Sequence, residues 1–87
     1  MTPNIEIHVL PTCPFCVRAL NWLDTWGLEY TKISYTDPLV KRKFYEDNGV
    51  STLPQLFVNG KRIGGWDNLS ASDFKKKVEA GEDVSDY

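Results

Sequence analysis

Ile5-Glu6-Ile7-His8-Val9-Leu10 alternates apolar and other residues before closing on two apolar ones, as a buried or half-buried strand does, and Thr12-Cys13-Pro14-Phe15-Cys16 follows almost at once. Thr12 or Cys13 can cap a helix with Pro14 at N1; Phe15, Ala19, Leu20, Leu23 and Trp26 then recur near the 3.6 period, and Gly27 closes it. Glu29 to Ser34 is rich in aromatic and β-branched residues and reads as a second strand. Two strands joined through a helix run parallel, so this junction commits the chain to a βαβ start and puts Cys13 at a helix N-terminus.

The rest of the chain extends that start. Asp37-Pro38 opens a second helix as N-cap and N1, Leu39, Val40 and Phe44 are expected to line its inner face, and Gly49 stops it. Leu56-Phe57-Val58, Asn59-Gly60 and Lys61-Arg62-Ile63 form a hairpin, because a type I′ turn needs positive φ at both central residues. Ser70 to Asp73 has capping-box spacing, with Leu69 and Phe74 placed as a hydrophobic staple, so a third helix is expected from there to about Ala80. The expected order is β-α-β-α-β-β-α. Trp22, Trp26, Tyr30 and Phe57 are expected in the core, Lys75-Lys76-Lys77 on a solvated helix face, and His8, which has no partner motif, in a structural or exposed place. Gly81 to Tyr87 carries few apolar residues and is expected to fray. With 87 residues the chain is at the short end for one domain, so 1–87 is read as a single domain.

Charge and hydropathy exclude several classes. Ten Lys and Arg against twelve Asp and Glu give net −2, with no basic field to gather nucleic acid or an anionic membrane surface. Glu82, Asp83 and Asp86 carry that excess, so residues 1–81 are net +1 and suited to small anions. No apolar stretch approaches the ~20 residues of a membrane helix, and Met1-Thr2-Pro3-Asn4 lacks the basic start and apolar run of a signal peptide. A soluble, cytoplasmic protein is expected. Monomer is the expected state, since the only exposed apolar surface anticipated is the groove around the cysteines.

The two cysteines sit in one tetrapeptide, where a disulfide closes almost no loop and adds little stability. Their role is therefore read as chemical. At the first turn of a helix, free N–H groups and the helix dipole stabilise a thiolate on Cys13, while Cys16 lies deeper and can resolve a mixed disulfide formed by the first sulfur. Pro14 stiffens the turn, and Arg18, about a turn on, can add positive potential. The alternatives are two inert small hydrophobes or half of a metal site. Two sulfurs do not make a tetrahedral zinc site, and His8 is the chain's only histidine, so no intramolecular metal is expected.

Thr12-Cys13-Pro14-Phe15-Cys16, Thr52-Leu53-Pro54 and Gly64-Gly65-Trp66-Asp67, in that order and at those spacings, closely resemble the dithiol glutaredoxins of the thioredoxin superfamily over nearly the whole chain. A thioredoxin proper carries Trp-Cys-Gly-Pro-Cys in a longer chain. The resemblance implies a thioredoxin-like α/β fold, with a four-stranded mixed sheet flanked by three helices. It implies glutathione as reductant and co-substrate, disulfide-containing proteins as partners, and Cys13 and Cys16 as the catalytic pair. Pro54 would be cis, with Leu53 pairing its N–H and C=O to the cysteine of glutathione. Thr52, Phe15, Gly65 and Trp66 would complete the site, backbone N–H groups would hold the γ-glutamyl carboxylate, and Asp67 its ammonium. Lys41 matches the family position that contacts the glycine carboxylate.

Three departures stand out. Phe15 replaces a common Tyr, Leu10 stands three residues before the first cysteine where the family usually has Lys or Arg, and Val50-Ser51 lacks the Arg usual before the Thr-x-Pro segment. The alternative readings are a protein-specific redoxin, serving for example ribonucleotide reductase and recharged by thioredoxin reductase, and an iron-sulfur or metal carrier in which two chains each give Cys13.

Overall fold

The computed structural model describes residues 3–87. Its elements are β1 (Ile5–Val9), α1 (Pro14–Thr25), β2 (Thr31–Ser34), α2 (Pro38–Asn48), β3 (Gln55–Val58), β4 (Lys61–Gly64), α3 (Trp66–Ser70) and α4 (Asp73–Glu79). The strands form one sheet in the order β2-β1-β3-β4. β1 and β2 are parallel, with Val9 opposite Ser34, whereas β3 is antiparallel to both β1 and β4. Because β1 and β2 run the same way, the chain leaves both at one edge of the sheet, and the helices that follow both begin there. That edge carries the cysteines.

β1 shows how the layers form. Ile5, Ile7 and Val9 are almost wholly buried, and His8, on the alternate face, stacks on Phe44 of α2 with ring centroids 4.3 Å apart. The opposite face is covered by α1 and α4, where the Trp22 indole donates to Glu79 Oε2 at 3.0 Å and meets Phe74 edge-on at 6.1 Å. Asn59 and Gly60 both take positive φ, 52° and 81°, and close the β3–β4 hairpin as their residue types require. Among the described residues, no helix is long and apolar enough to cross a membrane.

Four expectations are corrected. The third helix is two helices: α3 starts after Gly65, and Ser70 ends it rather than capping the next. Ser72 is the true cap, its Oγ accepting from the Lys75 N–H at 3.1 Å while donating to Leu69 O at 2.7 Å, so one hydroxyl closes α3 and opens α4. In α2, Leu39 and Val40 are 75% and 53% exposed, because the stripe that meets the sheet is Lys41, Phe44, Tyr45 and Asn48, at i, i+3, i+4 and i+7. Trp26, just past α1, is 43% exposed. The last segment packs instead of fraying: Val84 is buried, Tyr87 meets Phe74 at 5.2 Å, and Lys61 Nζ donates to Tyr87 O at 2.7 Å.

Candidate active site

β1 turns into α1 over Leu10 to Cys13, where the Cys13 N–H donates to Leu10 O at 3.4 Å. Cys13 is the N-cap of α1, with extended backbone (φ −84°, ψ 122°) and Pro14 in the helix's first turn. Its Sγ is half-buried and lies 3.7 Å from Leu53 O. Cys16, one turn in, is 1% exposed, and its Sγ accepts the Leu10 N–H at 3.4 Å. Both are free thiols.

The two sulfurs are tuned in opposite directions. Burial works against ionisation of Cys13, but the Cys16 N–H, the Cys16 thiol and the Phe15 N–H together outweigh it and hold the Cys13 thiol below its ordinary 9.0. For Cys16, burial is the main effect and a thiolate at Cys13 adds to it; the Leu10 N–H offsets only part, and the thiol is pushed up to about 11. Deprotonation near neutral pH therefore falls on Cys13.

Beside Cys13 opens a cleft of about 240 Å³ lined by Phe15, Thr52, Leu53, Pro54, Gly65, Trp66, Asp67 and Asn68. The Leu53–Pro54 peptide is cis, as the resemblance implies. Gly65 approaches the Leu53-Pro54 segment closely, since a Cβ there would stand 3.4 Å from Pro54 O. Seven of the residues expected from sequence are thus gathered on one wall or the other. Lys41 is not among them: its ammonium lies 5.9 Å from the centre of the Tyr45 ring, outside the cleft lining. Arg18 places its guanidinium 5.4 Å from the centre of the Phe15 ring.

Two residues escape the sequence reading. Asn68 lines the cleft, and its Oδ1 accepts the Gly65 N–H at 3.1 Å, which ties the β4–α3 turn shut. Its signal was available: a side chain at N3 reaching back to the N-cap is one half of a capping box. Gly64 beneath it has φ 118°, and a Cβ there would lie 2.6 Å from Asn68 Oδ1. Tyr45 is the other; burial first, then charge on Cys16 and on Cys13, raises its hydroxyl's pKa, which places the phenol within electrostatic reach of both sulfurs. Nothing in a lone helical Tyr signals that. Among the described residues, no three His, Cys, Asp or Glu side chains gather as metal ligands.

An ionisable thiol open to a cleft, with a second thiol buried beneath it, is equipped for thiol–disulfide exchange. Known proteins agree. The family model Glutaredoxin matches residues 5–63. Glutaredoxin 3 of Escherichia coli K12 is 35% identical over 71 residues, covering 80% of this chain and 86% of that protein. A probable glutaredoxin of Synechocystis is 35% identical over 81 residues, covering 91% of this chain and 92% of its own length. Among solved structures, glutaredoxin 1 of Francisella tularensis superposes with a TM-score of 0.80 at 26% identity, covering 86% of this chain and 96% of that one. Buckwheat glutaredoxin, solved as a glutathione complex, gives 0.75 at 22% identity over 90% of this chain and 74% of its own, and shares the fold. The chain belongs to the glutaredoxin family of thiol–disulfide oxidoreductases.

Proposed function

We propose that the chain is a single-domain, dithiol, glutathione-dependent oxidoreductase in which Cys13 attacks and Cys16 resolves. The observation that carries this reading is the contrast between the two sulfurs: Cys13 at the cleft with a lowered pKa, Cys16 buried with its pKa pushed up to about 11. On a glutathionylated protein, the Cys13 thiolate attacks the glutathione sulfur and the protein thiolate leaves and takes up a proton. The Cys13–glutathione disulfide is then attacked by a second glutathione thiolate, which releases oxidised glutathione and restores the Cys13 thiolate. On a protein disulfide, Cys13 forms the mixed disulfide with the protein. Cys16 displaces the protein thiol, and two glutathione molecules reduce the Cys13–Cys16 bond.

The cleft suits that co-substrate. Leu53 offers its backbone beside Cys13 for a short β-like pairing with the cysteinyl unit of glutathione. Trp66 and Asp67 open α3, where N–H groups have no intrahelical acceptor and can meet the γ-glutamyl carboxylate, with the Asp67 carboxylate for its ammonium. Phe15 and Trp66 give the cleft apolar walls.

Cys13→Ser should abolish exchange on every substrate. Cys16→Ser should keep reduction of glutathione mixed disulfides and lose most activity on protein disulfides. Death of the Cys16 variant on both substrates would reverse the roles. Recharging the oxidised protein with glutathione, and separately with thioredoxin reductase, tests the co-substrate; recharge by the flavoenzyme alone would point to a protein-specific redoxin.

A further inference from the structure

Gln55 opens β3 just behind the Leu53-Pro54 wall of the cleft and is not itself part of the lining. It stands opposite His8 in the antiparallel pair, so its side chain shares with His8 and Phe57 the sheet face that α2 covers, where the rings of His8, Phe57 and Phe44 meet. There it is 4% exposed. Its Nε2 donates to Thr52 O at 3.1 Å, and because a carbonyl can only accept, that bond fixes which end of the amide faces Thr52. The other end is left over: Oε1 is the one buried side-chain nitrogen or oxygen among the described residues with no hydrogen-bond partner. A buried acceptor without a donor costs stability that an apolar side chain of the same length would not. Packing alone therefore gives no reason for a glutamine here.

The bond it makes holds a segment that little else holds. The Val50 N–H donates to Tyr45 O, but among the described residues no backbone–backbone hydrogen bond of the turns and loops engages Ser51, Thr52 or Leu53. The peptide joining Thr52 to Leu53 is planar and trans, so its C=O and N–H point in opposite directions. Drawing the Thr52 carbonyl inward onto a buried amide turns the Leu53 N–H outward, where Leu53 lines the cleft beside Cys13. The donor that a substrate backbone would meet is thus aimed from behind.

We infer, on the reading that the cysteinyl unit of a substrate pairs with the Leu53 backbone, that Gln55 is the positioning residue for that pairing. Its amide holds the Thr52 carbonyl and so aims the Leu53 N–H, and the orphaned Oε1 is the stability cost of keeping that amide buried. Gln55 then favours disulfides that carry a peptide group beside the reacting sulfur over disulfides that carry none.

The test is Gln55→Met, which keeps the length and removes both the donor and the unpartnered acceptor, so Tm should hold or rise. Two rates are compared in the parent and the variant: kcat/KM for a chromogenic thiol conjugated to glutathione, and stoichiometric attack by the reduced protein on a symmetrical nitrophenyl disulfide with no peptide group. The ratio of the first to the second should fall about three- to ten-fold, the range of one net hydrogen bond. An unchanged ratio, with both rates kept or both lowered alike, makes Gln55 a packing residue and overturns the inference. Should the Met variant fail to fold, the parent decides: its Leu53 amide proton should exchange fast in the reduced protein and become protected once Cys13 is held in a mixed disulfide with glutathione. Equal protection in the two states overturns the inference. The co-substrate reading fails in a different way, if the parent attacks the nitrophenyl disulfide and leaves the glutathione conjugate untouched, and this inference then falls with it.

Discussion

The opposed tuning of the two thiols predicts selective alkylation. At about pH 7.5 a thiol of pKa about 11, as Cys16 has, is ionised in about 3 molecules in 10,000, whereas a thiol at 9.0 is ionised in about 3 in 100. Cys13 lies below 9.0, so its thiolate is favoured at least about 100-fold. The less basic thiolate is intrinsically the poorer nucleophile; with a Brønsted coefficient of about 0.5 that returns about 10-fold to Cys16. A preference of at least about 10-fold for Cys13 remains before access is counted, and Cys16 is 1% exposed. Limited iodoacetamide treatment of the reduced protein, followed by peptide mapping, should find the label on Cys13 with Cys16 unmodified. The pH dependence of that labelling should have its midpoint below 9.0. Because the Cys16 thiol helps to lower the Cys13 pKa, Cys16→Ala should move the midpoint upward, while Cys16→Ser, which keeps a donor, should move it less. Equal labelling of the two cysteines, or a Cys13 midpoint at or above 9.0, would refute the reasoning.

Two further outcomes follow from groups outside the dithiol. Gly64→Ala must place a Cβ 2.6 Å from Asn68 Oδ1 at φ 118°, so it should break the Asn68–Gly65 bond, cost at least about 1 kcal/mol, lower Tm by about 4–8 °C, and raise KM for a glutathionylated substrate more than it lowers kcat. A fully stable variant with unchanged KM would show that the turn does not shape the cleft. Burial holds the His8 imidazole below its ordinary 6.5 even though Glu6 pulls the other way. The unfolded chain therefore binds that proton first, and stability should fall as pH drops through about 6.5 and keep falling until His8 titrates in the fold. Thermal unfolding between about pH 7.5 and about pH 5 should show a steeper loss in the parent than in His8→Phe, and parallel slopes would remove His8 from the account.

The parts of the fold legible in the sequence are those set by local chemistry. Pro14 at the start of α1, Asp37 capping α2 through the Leu39 N–H, and the Asn59-Gly60 turn need nothing from the rest of the chain to take their places. Elsewhere tertiary packing decides. α2 turns a stripe of Lys41, Phe44, Tyr45 and Asn48 to the sheet and leaves Leu39 and Val40 outside, because the stems and rings of polar residues also cover apolar surface. Ser70 and Ser72 offer similar caps, and what decides between them is that Leu69 must be buried at the end of α3. The closing segment looked too polar to pack, yet Val84 and Tyr87 at i and i+3 reach the core and Phe74 together. In the site, the cysteines, the Thr52-Leu53-Pro54 segment and the Gly65-Trp66-Asp67 turn were readable as motifs. Tyr45 was not, because the influence of the two sulfurs on its hydroxyl depends on how α2 docks against the sheet.

Two thiols three residues apart are driven in opposite directions. The helix N-terminus alone favours a thiolate at either position, since its free N–H groups and dipole serve the whole first turn. Depth separates them. Cys13, as the N-cap, stands outside the helical turn and collects the Phe15 and Cys16 N–H groups without filling the core. Cys16 is carried by the same turn into the layer of Ala19 and Leu23, where desolvation dominates and the Leu10 N–H is too little to offset it. Each thiol also acts on the other: the buried thiol donates to the exposed thiolate, and the exposed charge keeps the buried thiol protonated. Once Cys13 is consumed in a mixed disulfide, that charge and that bond are both gone. Cys16 then loses two of the influences that held its proton and can ionise more readily. Under the proposed roles, the order of attack and resolution follows from which sulfur lies deeper.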